Sequence, residues 1–305
     1  MSLLETKMKE WMILDCDYLA HRAKHVFGDL TWEGSATGVV YGVLRDIVTL
    51  QEEFQTDRCV FAFDAGVGLR YALLPTYKHS RAARHAEDTV EERAARKDFA
   101  LQVLALRHKH LTEIGFRNVV ACQGYEADDI IASIAAAVPG DEEAIIIGSD
   151  KDLWQCLRPN VSCWDPQRRK ATTAVSFLQQ WGLEPARWAD VKALAGCSTD
   201  DVPGVRGVGE LTAARYLRGE LGSHLKTAQR IRAARHLYQR NIQIVRLPFA
   251  GTPTPELVPD EVTLERWEAV VNGLGMRSLR HTPPRAAKKR SRGRKRDRGS
   301  SFGLV

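Results

Sequence analysis

Three observations predict an α/β fold, a mostly parallel sheet flanked by helices with a helical second domain behind it. Short apolar runs, the right length for buried strands, recur through the first 172 residues. Helical patterns lie between several of them, the alternation that produces a parallel sheet covered on both faces. After residue 172 the apolar runs stop and helical patterns joined by Gly/Pro turns take over.

The strand runs are WMIL (11–14), CVFAF (59–63), NVVAC (118–122), AIIIG (144–148) and VSCW (161–164). Helices are expected near 36–54, 91–114 and 127–138, then near 173–181, 185–195, 209–218, 225–246 and 262–274. The predicted layout is an α/β core over 1–172, a helical domain over 173–281 and a disordered basic tail over 282–305. Residues 285–298, RAAKKRSRGRKRDR, hold nine Lys/Arg and one Asp; the whole chain is +6, so the remainder is −2. A basic tail on a slightly acidic body suits nucleic acid, or serves as a solubilising or localising tail.

Composition excludes several classes. Hydrophobic residues make up 44% of the 305, enough for a real core. No apolar run approaches the ~20 residues of a membrane span, and the N-terminus lacks a signal-peptide pattern. An intracellular protein, bacterial or phage-like and monomeric, is expected, with no membrane partner. The six cysteines form no CxxC pair, so neither a zinc site nor a thioredoxin-like motif is signalled. His108 and His110 lie two apart on a helix and face different sides, and the seven tryptophans read as core.

The acids carry the chemistry. Asp15 and Asp17 follow the first strand, Asp64 the second, Glu126, Asp128 and Asp129 the third after a short turn, and Asp150 and Asp152 the fourth. This is the carboxyl edge, where open α/β sheets place their sites. Helix capping explains any single acid, but explains four strand ends at once poorly. Converging carboxylates repel and need cations. Oxygen-only ligands point to Mg²⁺ or Mn²⁺, and so many acids suggest two ions about 3.5–4 Å apart, the arrangement for phosphodiester displacement. LRYALLPTYKHSRAAR (69–84) sets Arg70, Lys78, Arg81 and Arg84 among Tyr71 and Tyr77, cations for phosphate and rings for a base, or else a solvated helix face. GVRGVG (204–209) opens a helix and could bring backbone N–H groups to a phosphate.

In this order the motifs resemble the 5′-nuclease (flap endonuclease) family, especially the 5′-nuclease domain of bacterial DNA polymerase I. The resemblance runs from about residue 11 to 281. ILDCDYLAHRA supplies Asp15, with Asp17 at a variable position. FAFDAG supplies Asp64, and LRYALLPTYKHSR the phosphate-gripping Arg70, Tyr77, Lys78 and Arg81. GYEADDIIA supplies Glu126, Asp128 and Asp129, and GSDKDLWQ supplies Asp150 and Asp152. AGCSTDDVPGVRGVGELTA resembles the last acidic motif and the helix-turn-helix variant that holds duplex DNA through Gly204, Val205, Arg206, Gly207, Val208 and Gly209, often with K⁺.

The resemblance implies a PIN-like 5′-nuclease core and a structure-specific 5′-3′ exonuclease or flap endonuclease. It would act on DNA with 5′ ends, flaps or single-strand/duplex junctions, RNA primers included. The first ion would lie near Asp15, Asp64, Glu126, Asp128 and Asp150, the second near Asp129, Asp152 and Asp200. Lys78 and Arg81 would offset phosphate charge, and residues 82–114 would form an arch that orders on DNA. With no polymerase domain following, a stand-alone nuclease is expected. One departure matters. Cys197 replaces the first acid of the last motif, and Asp201 stands where the family usually has Asn. Asp201 is expected to share the second ion with Asp200, leaving Cys197 a spectator; the alternatives are that Cys197 ligates Mn²⁺ weakly or that the second site is largely empty under Mg²⁺. The alternative is a catalytically weakened DNA-binding homologue. A haloacid-dehalogenase phosphatase would use ILDCD but not the GYEADD acids or the glycine turn. A PIN-type ribonuclease would not need the helical second domain.

Overall fold

The structure, a computed structural model, describes residues 10–288. In chain order the strands are β1 (Glu10–Asp15), β2 (Thr31–Trp32), β3 (Ser35–Ala36), β4 (Arg58–Ala62), β5 (Val119–Val120), β6 (Glu143–Ile147), β7 (Val161–Asp165), β8 (Lys170–Thr172), β9 (Gly196–Cys197) and β10 (Val202–Pro203). The helices are α1 (Cys16–Phe27), α2 (Gly38–Phe54), α3 (Gly68–Leu73), α4 (His79–Ala86), α5 (Val90–Ala105), α6 (Leu111–Ile114), α7 (Ala127–Ala137), α8 (Ala174–Trp181), α9 (Trp188–Ala195), α10 (Glu210–Leu217), α11 (Lys226–Ala233), α12 (Arg235–Val245) and α13 (Leu264–Gly273). All five predicted strand runs contain a strand. The short pairs β2–β3 and β9–β10 and the edge strand β8 escaped prediction, since two or three residues carry no periodicity.

The chain folds into two compact units interleaved in sequence. Among the described residues the first comprises 10–15, 62–94 and 120–255. Its sheet is mixed and mostly parallel: β1 pairs with β6 and β6 with β7 in parallel, and β8 closes the edge antiparallel to β7. Trp11–Leu14 and Ala144–Ile147 are buried without alternation, as strands covered on both faces must be. The register sets Leu14 beside Ile147, so Asp15 and the segment after β6 emerge at one carboxyl edge. Helix α7 is apolar nearly all round and buried to match. Trp154, Phe177, Trp181 and Trp188 form one aromatic cluster, with centroids 4.6–6.4 Å apart, which places these rings in the core.

Among the described residues the second unit comprises 16–61, 95–119 and 256–288. Helices α1 and α2 pack at Gly42, where an added Cβ would lie 2.5 Å from the Ala23 Cβ. Asn118 ties the unit together. Its amide donates to the carbonyls of Cys59 and Val258, and its oxygen accepts from the Val258 N–H. Residues 282–288, predicted as the start of a disordered tail, instead hold to α2. The Arg285 N–H donates to Gln51 Oε1 at 2.9 Å, and Lys288 pairs with Glu52 at 2.7 Å. The rest of the tail lies outside the described residues.

The β9–β10 pairing brings Gly196 opposite Pro203 and Cys197 opposite Val202. A Cβ at Gly204 would stand 2.0 Å from the Ala195 carbonyl oxygen, so backbone touches backbone where only glycine fits. Gly204→Ala is therefore expected to lower stability by about 1–3 kcal/mol, read as a thermal melt. An unchanged melting temperature would show that the hairpin tolerates the methyl.

Candidate metal centre

Asp15 ends β1 and stands beside Gly148, where a Cβ would sit 3.4 Å from the Asp15 Cβ. Asp64 lies two residues past β4, and its Oδ1 accepts the Ala127 N–H at 2.7 Å, tying that strand end to the start of α7. Asp150 Oδ1 accepts the Asp152 N–H at 2.7 Å and caps the helical turn 151–156. Several acids thus cap and cluster at once.

Asp128 is the electrostatic centre. Burial, then the charges of Asp150, Asp15, Asp64 and Glu126, push its carboxyl well above the ordinary range. Asp64 is also raised, chiefly by burial, against the Ala127 N–H bond. Burial and Asp150 push Asp152 up to about 6, against the pull of Lys192.

A second group adjoins Asp152. One ligand atom each from Asp152, Cys197 and Asp200 lies within 4.8 Å of the other two. Asp200 Oδ1 is 3.8 Å from Lys78 Nζ and 3.5 Å from Arg81. The Cys197 thiol donates to Asp200 Oδ2 at 3.3 Å and lies 3.0 Å from Thr199 Oγ1. Burial, then the Asp200 charge, pushes that thiol up to about 11.

The structure does not gather every predicted residue there. Asp129 is fully buried and saturated. Oδ1 accepts from Arg70 at 2.8 Å and from the Phe249 N–H at 2.9 Å. Oδ2 accepts from Arg70 at 2.6 Å and from the Glu126 N–H at 3.1 Å. Arg70, expected to grip phosphate, is 4% exposed and also bonds the Ile244 carbonyl. Both charges are consumed by each other. Tyr77, expected as a stacking ring, is likewise 4% exposed, and its hydroxyl donates to Glu126 Oε2 at 2.7 Å. Tyr71 is the more exposed ring of that segment. Lys78 pairs with Glu126, and Arg81 is exposed. Asp201 turns away from Asp200: its φ is 56°, and its Oδ2 accepts the Ser80 N–H at 2.7 Å.

In the 204–209 turn Val205 and Val208 point into the core, with Arg206, Gly207 and Gly209 exposed. The Val205 N–H is spent on Leu194 and the Val208 N–H on Val205.

One residue was missed. Lys192 Nζ lies 2.9 Å from Asp152 Oδ1 and 3.7 Å from Glu210. Burial works to lower its proton affinity, but Asp152 first among the acids raises it well above the ordinary lysine range. The signal was a lysine amid the apolar residues of α9, a charge that must find an internal partner.

The donor set fits divalent cations: clustered carboxylates crowd negative charge that a cation would offset. Among the described residues no helix is long and apolar enough to cross a membrane.

Residues 10–182 match the family "5′-3′ exonuclease, N-terminal resolvase-like domain". That is more than half of the chain, and the chain belongs to this family. It is 31% identical over 228 residues to the thermostable DNA polymerase I of Thermus aquaticus, covering 73% of this chain and 26% of that protein. It is 32% identical over 195 residues to a 5′-3′ exonuclease of Bacillus subtilis, covering 61% of this chain and 60% of the relative. The chain thus spans about a quarter of the polymerases it matches. T5 5′-exonuclease, solved with bound divalent metal ions (zinc), shares the fold with a TM-score of 0.69 at 21% identity, covering 89% of this chain and 98% of that one.

Two outcomes follow. Arg70→Met should cost about 3–5 kcal/mol by stranding a buried carboxylate, and adding Asp129→Leu should recover much of it. A phosphate-gripping Arg70 would instead leave the melt unchanged and weaken DNA binding. The second concerns pH. Raised carboxyls bind protons more tightly folded than unfolded, so their contribution to stability falls as pH rises from the unfolded value near 4. In EDTA, Asp128→Asn should melt above the parent at pH 8 and level with it at pH 4. The gain should be about 2–4 °C per kcal/mol relieved. An equal difference at both pH values would contradict the repulsion.

Proposed function

We propose that the chain is a structure-specific 5′-nuclease that hydrolyses phosphodiester bonds of DNA carrying 5′ ends, flaps or single-strand/duplex junctions. The observation that carries this reading is the gathering of Asp15, Asp64, Asp128 and Asp150 around one charge centre, next to Asp152, Asp200, Lys78 and Arg81. Family membership supports it. Two divalent ions, Mg²⁺ or Mn²⁺, are proposed: one among Asp15, Asp64, Glu126, Asp128 and Asp150, the other at Asp152 and Asp200. When bound, they supply activation of water and charge stabilisation of the in-line displacement.

The chain's own residues set the rest. The carboxylates repel a bare phosphodiester, so substrate is admitted only when cations have offset them. Lys78 and exposed Arg81, both at Asp200, place positive charge where a phosphate would develop charge. The turn at Arg206, Gly207 and Gly209 is proposed to meet duplex backbone, with K⁺ an added candidate there. Residues 173–281 are proposed as the duplex-binding part, 82–114 as the arch over a 5′ strand, and the basic tail as a further DNA contact. RNA primers are included as substrates, and the monomer is the proposed form. The cysteine at position 197 favours one second reading, a nuclease weakened in Mg²⁺.

A labelled 5′-flap duplex tests this. Cleavage is expected with Mg²⁺ or Mn²⁺ and none in EDTA. Asp15→Ala and Asp128→Ala should drop cleavage to background and leave DNA binding largely intact. Full turnover by both variants would remove the assignment.

A further inference from the structure

The thiol of Cys197 is held in place by its surroundings. The residue sits in β9, paired with Val202, and Gly196 and Gly204 cross behind it at backbone contact. From there its sulfur faces Asp200 Oδ2 at 3.3 Å, while Asp152 completes a triangle whose sides are all under 4.8 Å. The neighbouring carboxylate that could have made the set all-oxygen is committed elsewhere, since Asp201 receives the Ser80 N–H. An ammonium is already present, with Lys192 at 2.9 Å from Asp152 Oδ1, an atom closed off from solvent.

These facts bear on the choice of ion. Two carboxylates and a neutral thiol, partly balanced by Lys192, exert a weaker pull on a hard cation than three carboxylates would. Mg²⁺ demands oxygen donors and gives up its waters reluctantly. A borderline or soft ion gains a sulfur bond that Mg²⁺ does not. Binding breaks the S–H bond, forms a metal–sulfur bond and releases the proton to solvent.

We propose that Asp152, Cys197 and Asp200 form a mixed sulfur–oxygen site that prefers a thiophilic divalent ion, of the Zn²⁺, Co²⁺ or Cd²⁺ class, over Mg²⁺. The inference rests on the nuclease reading only in taking this trio as the second ion position. Its chemistry stands apart from turnover.

Cadmium titration of the full chain reads the site directly. The wild type should develop an ultraviolet thiolate-to-cadmium charge-transfer band that saturates at one ion per chain and survives a large molar excess of Mg²⁺. Cys197→Ser, checked for folding by circular dichroism, should lose the band. Asp200→Asn should keep it and weaken cadmium binding by at least the roughly tenfold that even an outer-shell partner contributes. In Cys197→Asp, excess Mg²⁺ should displace cadmium, followed by isothermal calorimetry. Absence of the band in the wild type overturns the inference, as does a band that persists in Cys197→Ser. A protein that lacks the band yet cuts a 5′ flap in Mg²⁺ keeps the nuclease reading and loses this one. A protein with the band that cuts in no metal does the reverse.

Discussion

Arg70 forks onto Asp129 inside the core of the first unit, and the geometry of the acidic edge depends on that pair. Both carboxylate oxygens are taken by guanidinium nitrogens at 2.6 and 2.8 Å, and two backbone N–H groups complete the shell. The Arg70 Nε bonds the last turn of α12 at Ile244. One ion pair therefore fixes α3, the start of α7, the end of α12 and the segment at Phe249. A buried pair adds little net stability against desolvation, yet losing one partner strands a charge. Its value here is placement: with Asp129 locked inward, Glu126 meets Tyr77 and Lys78, and the segment between α3 and α4 has one register against Asp200.

The other cations are distributed by the same logic. Lys78 takes Glu126 and leans on Asp200, and Lys192 takes Asp152. The neighbours that raise Asp128 are four carboxylates. Burial makes their mutual repulsion worse, because low dielectric strengthens every charge interaction. The edge thus crowds negative charge around Asp128, the electrostatic setting that suits a divalent cation.

Much of this was legible in sequence. Buried strands show as unbroken apolar runs, and an acid after such a run must lie at the carboxyl edge. Which way a helical acid faces was not legible. Asp128 and Asp129 are adjacent in α7, about 100° apart around its axis, and α7 is buried nearly all round, so no polar face marks which of them looks outward. Arg70 and Tyr77 failed for a related reason. A motif specifies residue types, whereas their burial depends on Ile244 and Glu126, 174 and 49 positions away. Lys192 could be suspected from its apolar neighbours, but its partner could not.

The paired acids at 200 and 201 become intelligible once their backbone is considered. The short helical turn 198–200 ends with Asp201 in the left-handed region, which swings consecutive side chains in different directions. Asp200 joins Asp152 and Cys197. Asp201 reaches the start of α4 and satisfies an N–H that the helix cannot pair internally. The Asp200 carbonyl takes the Lys78 N–H at 2.9 Å just ahead of that helix. Two bonds therefore fasten the beginning of α4 to the same turn that presents Asp200, and α4 carries Arg81. The turn that presents Asp200 and the cations Lys78 and Arg81 are held as one piece. The Asp201 carboxylate is committed to this fastening, and it does not join Asp152, Cys197 and Asp200.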